Sequence, residues 1–336
     1  MRHLVSLDIE AWGKILLPSL VCSWEKTQRC HFYPPPSSGL LLSNLLTRDL
    51  EAVVFHDFSL SELGTDVPIH DVTIAQYKHA SSLQGPQEAL STILNGDAKG
   101  AIEPRQRQRT FSTGEESMLR SLQLKERLLY TVDFQNKGFK PNTRGHSIQD
   151  TLATLDELLL KLPEDMGFNI EMKYPRVHEA IEAGVAPVTI DINTFVDTAL
   201  EKLERLAGRR PIILSSFTPE ICILLSLKQS TYPAMFITNA GKVPMADKEL
   251  RAASLQMAVH FARRWNLDGI VLACETFVHC PRFIKFVQNA GLLCASYGLL
   301  NNDPNIARLQ ADAGIDIIIA DRVKLIADEL NKEIAE

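Results

Sequence analysis

The sequence predicts an α/β fold: a (β/α)8 barrel of parallel strands, a TIM barrel, incomplete at its first strand. Three observations carry the prediction. Short apolar runs alternate with amphipathic helical stretches from about residue 147 to the C-terminus. Those runs are apolar throughout, as strands are when helices cover both faces of a parallel sheet. Polar side chains also collect where the strands stop, which is where barrels of this type place their chemistry.

Taken in order, AVVFHD (Ala52–Asp57) reads as the first recognisable strand. An amphipathic helix, IQDTLATLDELLLKL, follows His146-Ser147 and ends at Pro163. Next come strand FNIEMK (Phe168–Lys173) and helix INTFVDTALEKLERLA, which Gly208 stops. Strand PIILSSF, helix PEICILLSLKQ, strand AMFITN and a long helix from Asp247 to Trp265 continue the alternation. Strand GIVLACE, helix PRFIKFVQNA, strand LLCASYG, helix PNIARLQADA, strand IDIIIAD and helix VKLIADELNKEI complete it. The strands AVVFH, FNIEM, PIILS, AMFIT, GIVLA, LLCAS and IDIII make seven, one short of a closed barrel. The remaining strand lies in the N-terminal region or is missing.

Two segments depart from this regularity. Residues 1–40 form an atypical N-terminal segment, with no sustained helical or strand period and the turn-forming run Pro34-Pro35-Pro36-Ser37-Ser38-Gly39. The barrel then occupies 41–336, with an irregular insertion at about 59–130. That insertion includes EPRQRQRTFSTGEES (Glu103–Ser117), a solvated charged loop or a kinase target.

Composition narrows the functional classes. The net charge of -6 and the lack of a long basic run argue against a nucleic-acid partner. No apolar stretch of about 20 residues is present, so no membrane span is expected. The interrupted N-terminus, with Asp8, Glu10 and Lys14, is unlike a secretory signal. Six cysteines without CxxC spacing suit a reduced, cytoplasmic setting. Oligomeric state is left open.

At the strand ends stand His56 and Asp57, Glu171 and Lys173, Ser215 to Phe217, Asn239, Glu275, Ser296 and Tyr297, and Asp321 and Arg322. A His, a Glu and a Lys on one rim suit acid–base chemistry on a phosphate beside a divalent metal. Histidine can protonate a leaving alkoxide near neutral pH. A carboxylate can hold Mg²⁺ or Ca²⁺, and lysine can pair with phosphate oxygens.

TRDLEAVVFHDFSLSE (Thr47–Glu62), GTDVPIHDVT (Gly64–Thr73) and FNIEMKYP (Phe168–Pro175) resemble the glycerophosphodiester phosphodiesterase domain. Ile213–Lys242 and SYGLLNND (Ser296–Asp303) are similar to its fungal, cytosolic glycerophosphocholine branch, and the resemblance covers about residues 45–334. It implies a metal-dependent hydrolase that cleaves a small-molecule glycerophosphodiester to glycerol 3-phosphate and an alcohol. By the same resemblance His56 is a general acid or base, Glu171 a ligand to Mg²⁺ or Ca²⁺, and Lys173 a phosphate contact. Tyr297 and Phe217 would wall the substrate, although core packing suits both equally.

The family's opening HRG motif is absent from the sequence, and its E-x-D metal pair falls by register on Leu41 and Ser43. Leucine cannot ligate a cation and serine is a poor substitute, so metal binding is expected to be weakened. Either the chain is an inactive relative kept for binding or regulation, or its first 40 or so residues come from a truncated or wrongly joined reading of the gene. The abrupt break near Leu46 favours the second. In both cases activity is expected to be impaired, and an unclosed barrel edge is expected to cost stability.

Overall fold

The computed structural model describes residues 14–18, 39–60, 67–82, 152–182, 188, 190–242 and 248–331. Strand β1 is Lys14–Pro18 and β2 is Gly39–Leu46. Strand β3 (Ala52–Val54) and helix α1 (Ile74–Ser82) follow. The regular alternation then runs α2 (Leu155–Lys161), β4 (Gly167–Met172), α3 (Val177–Glu182), α4 (Ile192–Leu206), β5 (Ile212–Ser216), α5 (Pro219–Lys228) and β6 (Ala234–Thr238). It finishes with α6 (Leu255–Arg264), β7 (Gly269–Ala273), α7 (Glu275–His279), α8 (Arg282–Asn289), β8 (Leu293–Tyr297), α9 (Pro304–Asp312), β9 (Ile317–Ala320) and α10 (Val323–Leu330).

Strands β2 and β4 to β9 are mutually parallel and lie side by side in chain order. They form the parallel set expected of a barrel that lacks its first parallel strand. The gap is bridged differently from the open edge anticipated. β1 runs antiparallel to both neighbours, pairing Lys14 with Leu41 on one side and Ile15 with Ala320 on the other. Its backbone groups thereby satisfy the two edges that would otherwise face water.

The first parallel strand is GLLLSNLL (β2) rather than AVVFH. Residues 52–54 instead turn back on β2 as an antiparallel flank, with Asn44 opposite Val54 and Leu46 opposite Ala52. The reversal is local. Leu50 takes the left-handed backbone, at φ 64°, and its N–H donates to the Thr47 carbonyl at 3.0 Å. Thr47 Oγ1 donates to Asp49 at 2.6 Å and accepts from Glu51 N–H at 3.0 Å. At the other end of β2, a Cβ on Gly39 would stand 2.9 Å from the Gly167 carbonyl, so the approach of β2 to β4 requires glycine.

Strand alternation sorts side chains into layers. Leu40 and Leu42 of β2, Phe168 and Ile170 of β4 and Ile212 and Leu214 of β5 pack outward beneath the helices. The ring interior is filled by Met235, Ile237, Val271, Ala295 and Ile319, joined by Leu41, Ile213, Phe217 and Tyr297. A smaller apolar cluster around Leu45, Val53, Phe55, Ile69 and Tyr77 seats β3 and α1.

Several helix boundaries differ from expectation. Helix α2 begins at Leu155, because Thr154 and Glu157 close a capping box; residues 148–151 lie outside the described residues. The long helix expected from Asp247 is a 3₁₀ turn at Leu250–Ala252 followed by α6, which Ser254 caps through Met257 N–H. Part of the expected irregular insertion is helical (α1), while 61–66 and 83–151, including Glu103–Ser117, lie outside the described residues.

Candidate active site

The C-terminal ends of the parallel strands collect the polar groups. β2 is the hinge of the arrangement, because it meets β4 along one edge and β3 along part of the other. Just past β3, Phe55 N–H donates to the Ser43 carbonyl at 3.0 Å, which sets His56 beside the upper half of β2. On the other edge Lys173 N–H donates to the Asn44 carbonyl at 3.0 Å. Ser43 is directly opposite Glu171 in register, and its Oγ donates to Glu171 Oε2 at 2.7 Å. The His56 segment and the Glu171–Lys173 pair are thus fastened to adjacent residues of one strand.

His56 Nδ1 lies 2.8 Å from Asp57 Oδ1. This contact engages the Nδ1 side of the ring. Asp57 is buried, and among the described residues its Oδ2 has no hydrogen-bond partner. Lys173 Nζ sits 5.5 Å from the centroid of the Phe58 ring, within cation–π range. Glu171 is buried.

Farther round the rim, Tyr297 donates its hydroxyl to Asn239 Oδ1 at 2.6 Å, and its ring meets Phe217 edge-on at 5.8 Å between centroids. Phe217 and Tyr297 both pack on the apolar filling of the ring. They cap the interior while Tyr297 keeps a polar tip on the rim. Asn302 holds the end of β9, accepting from Asp321 and Arg322 N–H and donating to Asp321 Oδ2. Burial first, and the neighbouring Glu275 carboxylate second, push the Cys274 thiol up to about 11, which disfavours its thiolate.

Sequence reasoning placed His56, Glu171, Lys173, Phe217 and Tyr297 at the ends of parallel strands; Glu171 and Lys173 flank the last residue of β4, Phe217 follows β5 and Tyr297 ends β8, whereas His56 follows β3, which runs antiparallel to β2. The structure brings His56, Glu171 and Lys173 to β2 and places Phe217 against Tyr297. Sequence reasoning missed Ser43 as the partner of Glu171 and Asn239 as the partner of Tyr297. The period-two pattern of β2 could have supplied the first, since Ser43 is the polar interruption of a leucine run. Nothing in the sequence pairs Asn239 with Tyr297.

A family model described as "Glycerophosphoryl diester phosphodiesterase family" matches residues 45–325. This chain belongs to that family. Among curated relatives, the glycerophosphocholine phosphodiesterase GDE1 of Eremothecium gossypii is 38% identical over 86% of this chain. The GDE1 of Candida albicans is 39% identical over 85% of it. The chain spans only about a quarter of these relatives' length, 23% and 25% respectively. In fold it resembles an Oleispira antarctica phosphodiesterase solved in complex with the product sn-glycerol-3-phosphate, with a TM-score of 0.52 and 14% identity. That alignment covers 88% of this chain and 85% of the other.

Membership in the glycerophosphoryl diester phosphodiesterase family raises the question of a divalent cation, and the described residues at the expected ligand positions do not fit one. Of the two positions expected to carry the E-x-D ligands, Leu41 packs into the apolar interior of the ring. Ser43 points a hydroxyl proton at the carboxylate of Glu171. Among the described residues, no three His, Cys, Asp or Glu side chains gather as a metal-binding group. Mg²⁺ and Ca²⁺ need several oxygen ligands at about 2.0–2.6 Å. Among the described residues, Glu171 therefore belongs to no such metal-binding group. No helix among the described residues is long and apolar enough to cross a membrane.

Proposed function

We propose that this chain binds glycerophosphodiesters and hydrolyses them slowly, with glycerophosphocholine the preferred substrate and glycerol 3-phosphate and choline the products. The observation that carries this reading is the fastening of His56 and of Glu171–Lys173 to neighbouring residues of β2. The names of the fungal relatives and the product in the Oleispira structure support the substrate class.

Lys173 pairs with the phosphoryl oxygens. Phe217 and Tyr297 face the alcohol moiety. Water attacks phosphorus, the bond from phosphorus to the alcohol oxygen breaks, and His56 Nε2 gives its proton to the departing alkoxide; the proton of the attacking water passes to solvent. Asp57 fixes the imidazole. With a single proton-transfer side chain the rate is expected to fall ~10²–10⁴-fold below that of a site with two. The family-like barrel spans 41–336, and the atypical segment 1–40 contributes β1, which bridges β2 and β9, and the first two residues of β2. A cytoplasmic setting agrees with the free thiols at Cys222, Cys274, Cys280 and Cys294.

One observation favours a second reading, a barrel kept for binding: the hydroxyl of Ser43 engages the Glu171 carboxylate. Release of glycerol 3-phosphate from glycerophosphocholine and from glycerophosphoinositol, followed for the parent chain and for His56→Ala and Lys173→Ala, separates the two. Turnover abolished by His56→Ala supports hydrolysis. Ligand binding without turnover in any variant supports the binding module, and the absence of both rejects either reading.

A further inference from the structure

From Ser43, Glu171 and Leu41 we infer that this site takes its anionic ligand without a divalent cation, and that Ser43 is the positioning residue responsible. The inference rests on the proposed ligand class only for the identity of the anion.

The argument begins with strand register. Ser43 and Glu171 are opposite one another on parallel neighbours, and the hydroxyl-to-carboxylate distance is 2.7 Å. A hydroxyl that donates to one oxygen of a buried glutamate occupies a lone pair that a cation would need. It also ties the end of β2 to that of β4, beside the backbone bond from Lys173 N–H to the Asn44 carbonyl. Two residues earlier on the same face of β2, Leu41 presents a methyl-bearing surface to Ile213, Met235 and Ile319 in the ring interior. Among the described residues, a cation beside Glu171 would meet a carboxylate oxygen already engaged by a proton donor, with the hydrocarbon of Leu41 at the other expected ligand position. Removing most of the hydration of Mg²⁺ or Ca²⁺ for so few oxygen ligands is unfavourable. What the site does offer an anion is the ammonium of Lys173 and the imidazole of His56, neither of which needs a metal.

The test titrates the full-length chain with Mg²⁺ and Ca²⁺ by isothermal calorimetry, then with glycerol 3-phosphate in EDTA and again with the cation present. The expected results are no saturable cation binding and glycerol 3-phosphate affinities that agree within about twofold in the two buffers. Cation at ~10 mM should move the unfolding midpoint by ~1 °C or less, since a ligand that does not bind cannot stabilise. Saturable binding of either cation, or glycerol 3-phosphate binding that appears only with the cation, overturns the inference while leaving the ligand assignment standing. If neither cation nor glycerol 3-phosphate binds, the ligand assignment fails and the inference about the cation survives. Ser43→Asp supplies a complementary arm. It replaces the donor with a second carboxylate and is expected to create measurable Ca²⁺ binding, seen as a cation-dependent rise in the unfolding midpoint. Because the primary titration uses the unaltered chain, poor folding of this variant does not decide the matter.

Discussion

The imidazole of His56 and the carboxylate of Asp57 form an unequal pair: their nitrogen and oxygen are 2.8 Å apart, yet the histidine side chain is 41% exposed and the aspartate 2%. One partner faces solvent and any ligand, while the other is locked beneath it with a second oxygen, Oδ2, that has no hydrogen bond among the described residues. A buried carboxylate in that state is costly to keep, and such strain is commonly retained where it orients a working group.

Asp57→Asn is therefore expected to lower kcat for glycerophosphodiester hydrolysis by at least ~10²-fold while leaving KM within about threefold. The thermal midpoint should hold or rise, since a buried charge is removed. Steady-state kinetics and thermal unfolding on the same preparation check both halves. A fall in activity that merely tracks a fall in stability would reduce Asp57 to a packing residue.

Acid should loosen the junction between α1 and α2. Burial pulls the Glu157 carboxyl upward, but the Lys78 ammonium, the Thr154 N–H and the charge of Lys161 outweigh it, and the net displacement is downward from 4.5. A carboxylate lowered in the folded state adds stability above its unfolded value, and that stability is lost as pH falls through the folded value. In the parent chain the unfolding free energy should thus fall as pH drops below about 4.5. In Glu157→Gln the slope of that fall should be shallower by up to about one proton. Urea titrations at a series of pH values measure the slope directly, and equal slopes in the two chains would refute the assignment. Thr154→Ala, which removes the cap, should cost about 1 kcal/mol at neutral pH.

Much of this fold was legible because a parallel barrel writes itself as repeated apolar runs with helices between. FNIEMK, PIILSSF, AMFITN, GIVLACE, LLCASYG and IDIIIAD each became a strand in the expected order. The error at AVVFHD has a physical origin. Its β-branched residues give it stronger strand character than GLLLSNLL, but ring membership is decided by pairing partners, and β2 has β4 available along its edge. Likewise KILLP of β1 carries no period long enough to be noticed, and its placement depends wholly on two edges brought together by the rest of the chain. Of the site, His56, Glu171 and Lys173 were visible as polar interruptions at strand ends. The Ser43–Glu171 bond spans 128 positions and follows only from register.

Arg210 shows the same limit. Sequence gives two adjacent arginines after Gly208 and no reason to separate them. In the structure Arg210 is buried, stacks 4.1 Å from the Phe168 ring centroid, and donates to the carbonyls of Leu159, Leu162, Pro163 and Met166. The Leu159 and Leu162 carbonyls are among those that the end of α2 leaves without helical partners, while the Pro163 carbonyl also accepts from Met166 N–H at 3.1 Å. The planar guanidinium reaches all of them, whereas a lysine ammonium cannot. Arg210→Lys is expected to cost ~2–4 kcal/mol, read as a lower urea midpoint with an unchanged denaturant slope. A loss below about 0.5 kcal/mol would mean that water replaces the guanidinium without penalty.

The described cysteines should differ sharply in reactivity. Burial drives the thiols of Cys222 and Cys294 upward. Burial and then the Glu275 carboxylate push Cys274 up to about 11. Cys280 is only half-buried. Because the thiolate is the nucleophile and must be reached by the reagent, raised thiols under cover react slowly. Alkylation with iodoacetamide at pH 7.5, followed by mass spectrometry of peptides, should therefore label Cys280 faster than the other three. Cys274 is the informative member. It lies under Gly298, whose φ of 131° and lack of a Cβ let the chain leave β8 with its backbone against the sulfur. Labelling of Cys274 as fast as Cys280 would mean that the turn after Tyr297 lifts from the rim in solution. The Tyr297–Phe217 ring pair would then be mobile rather than fixed.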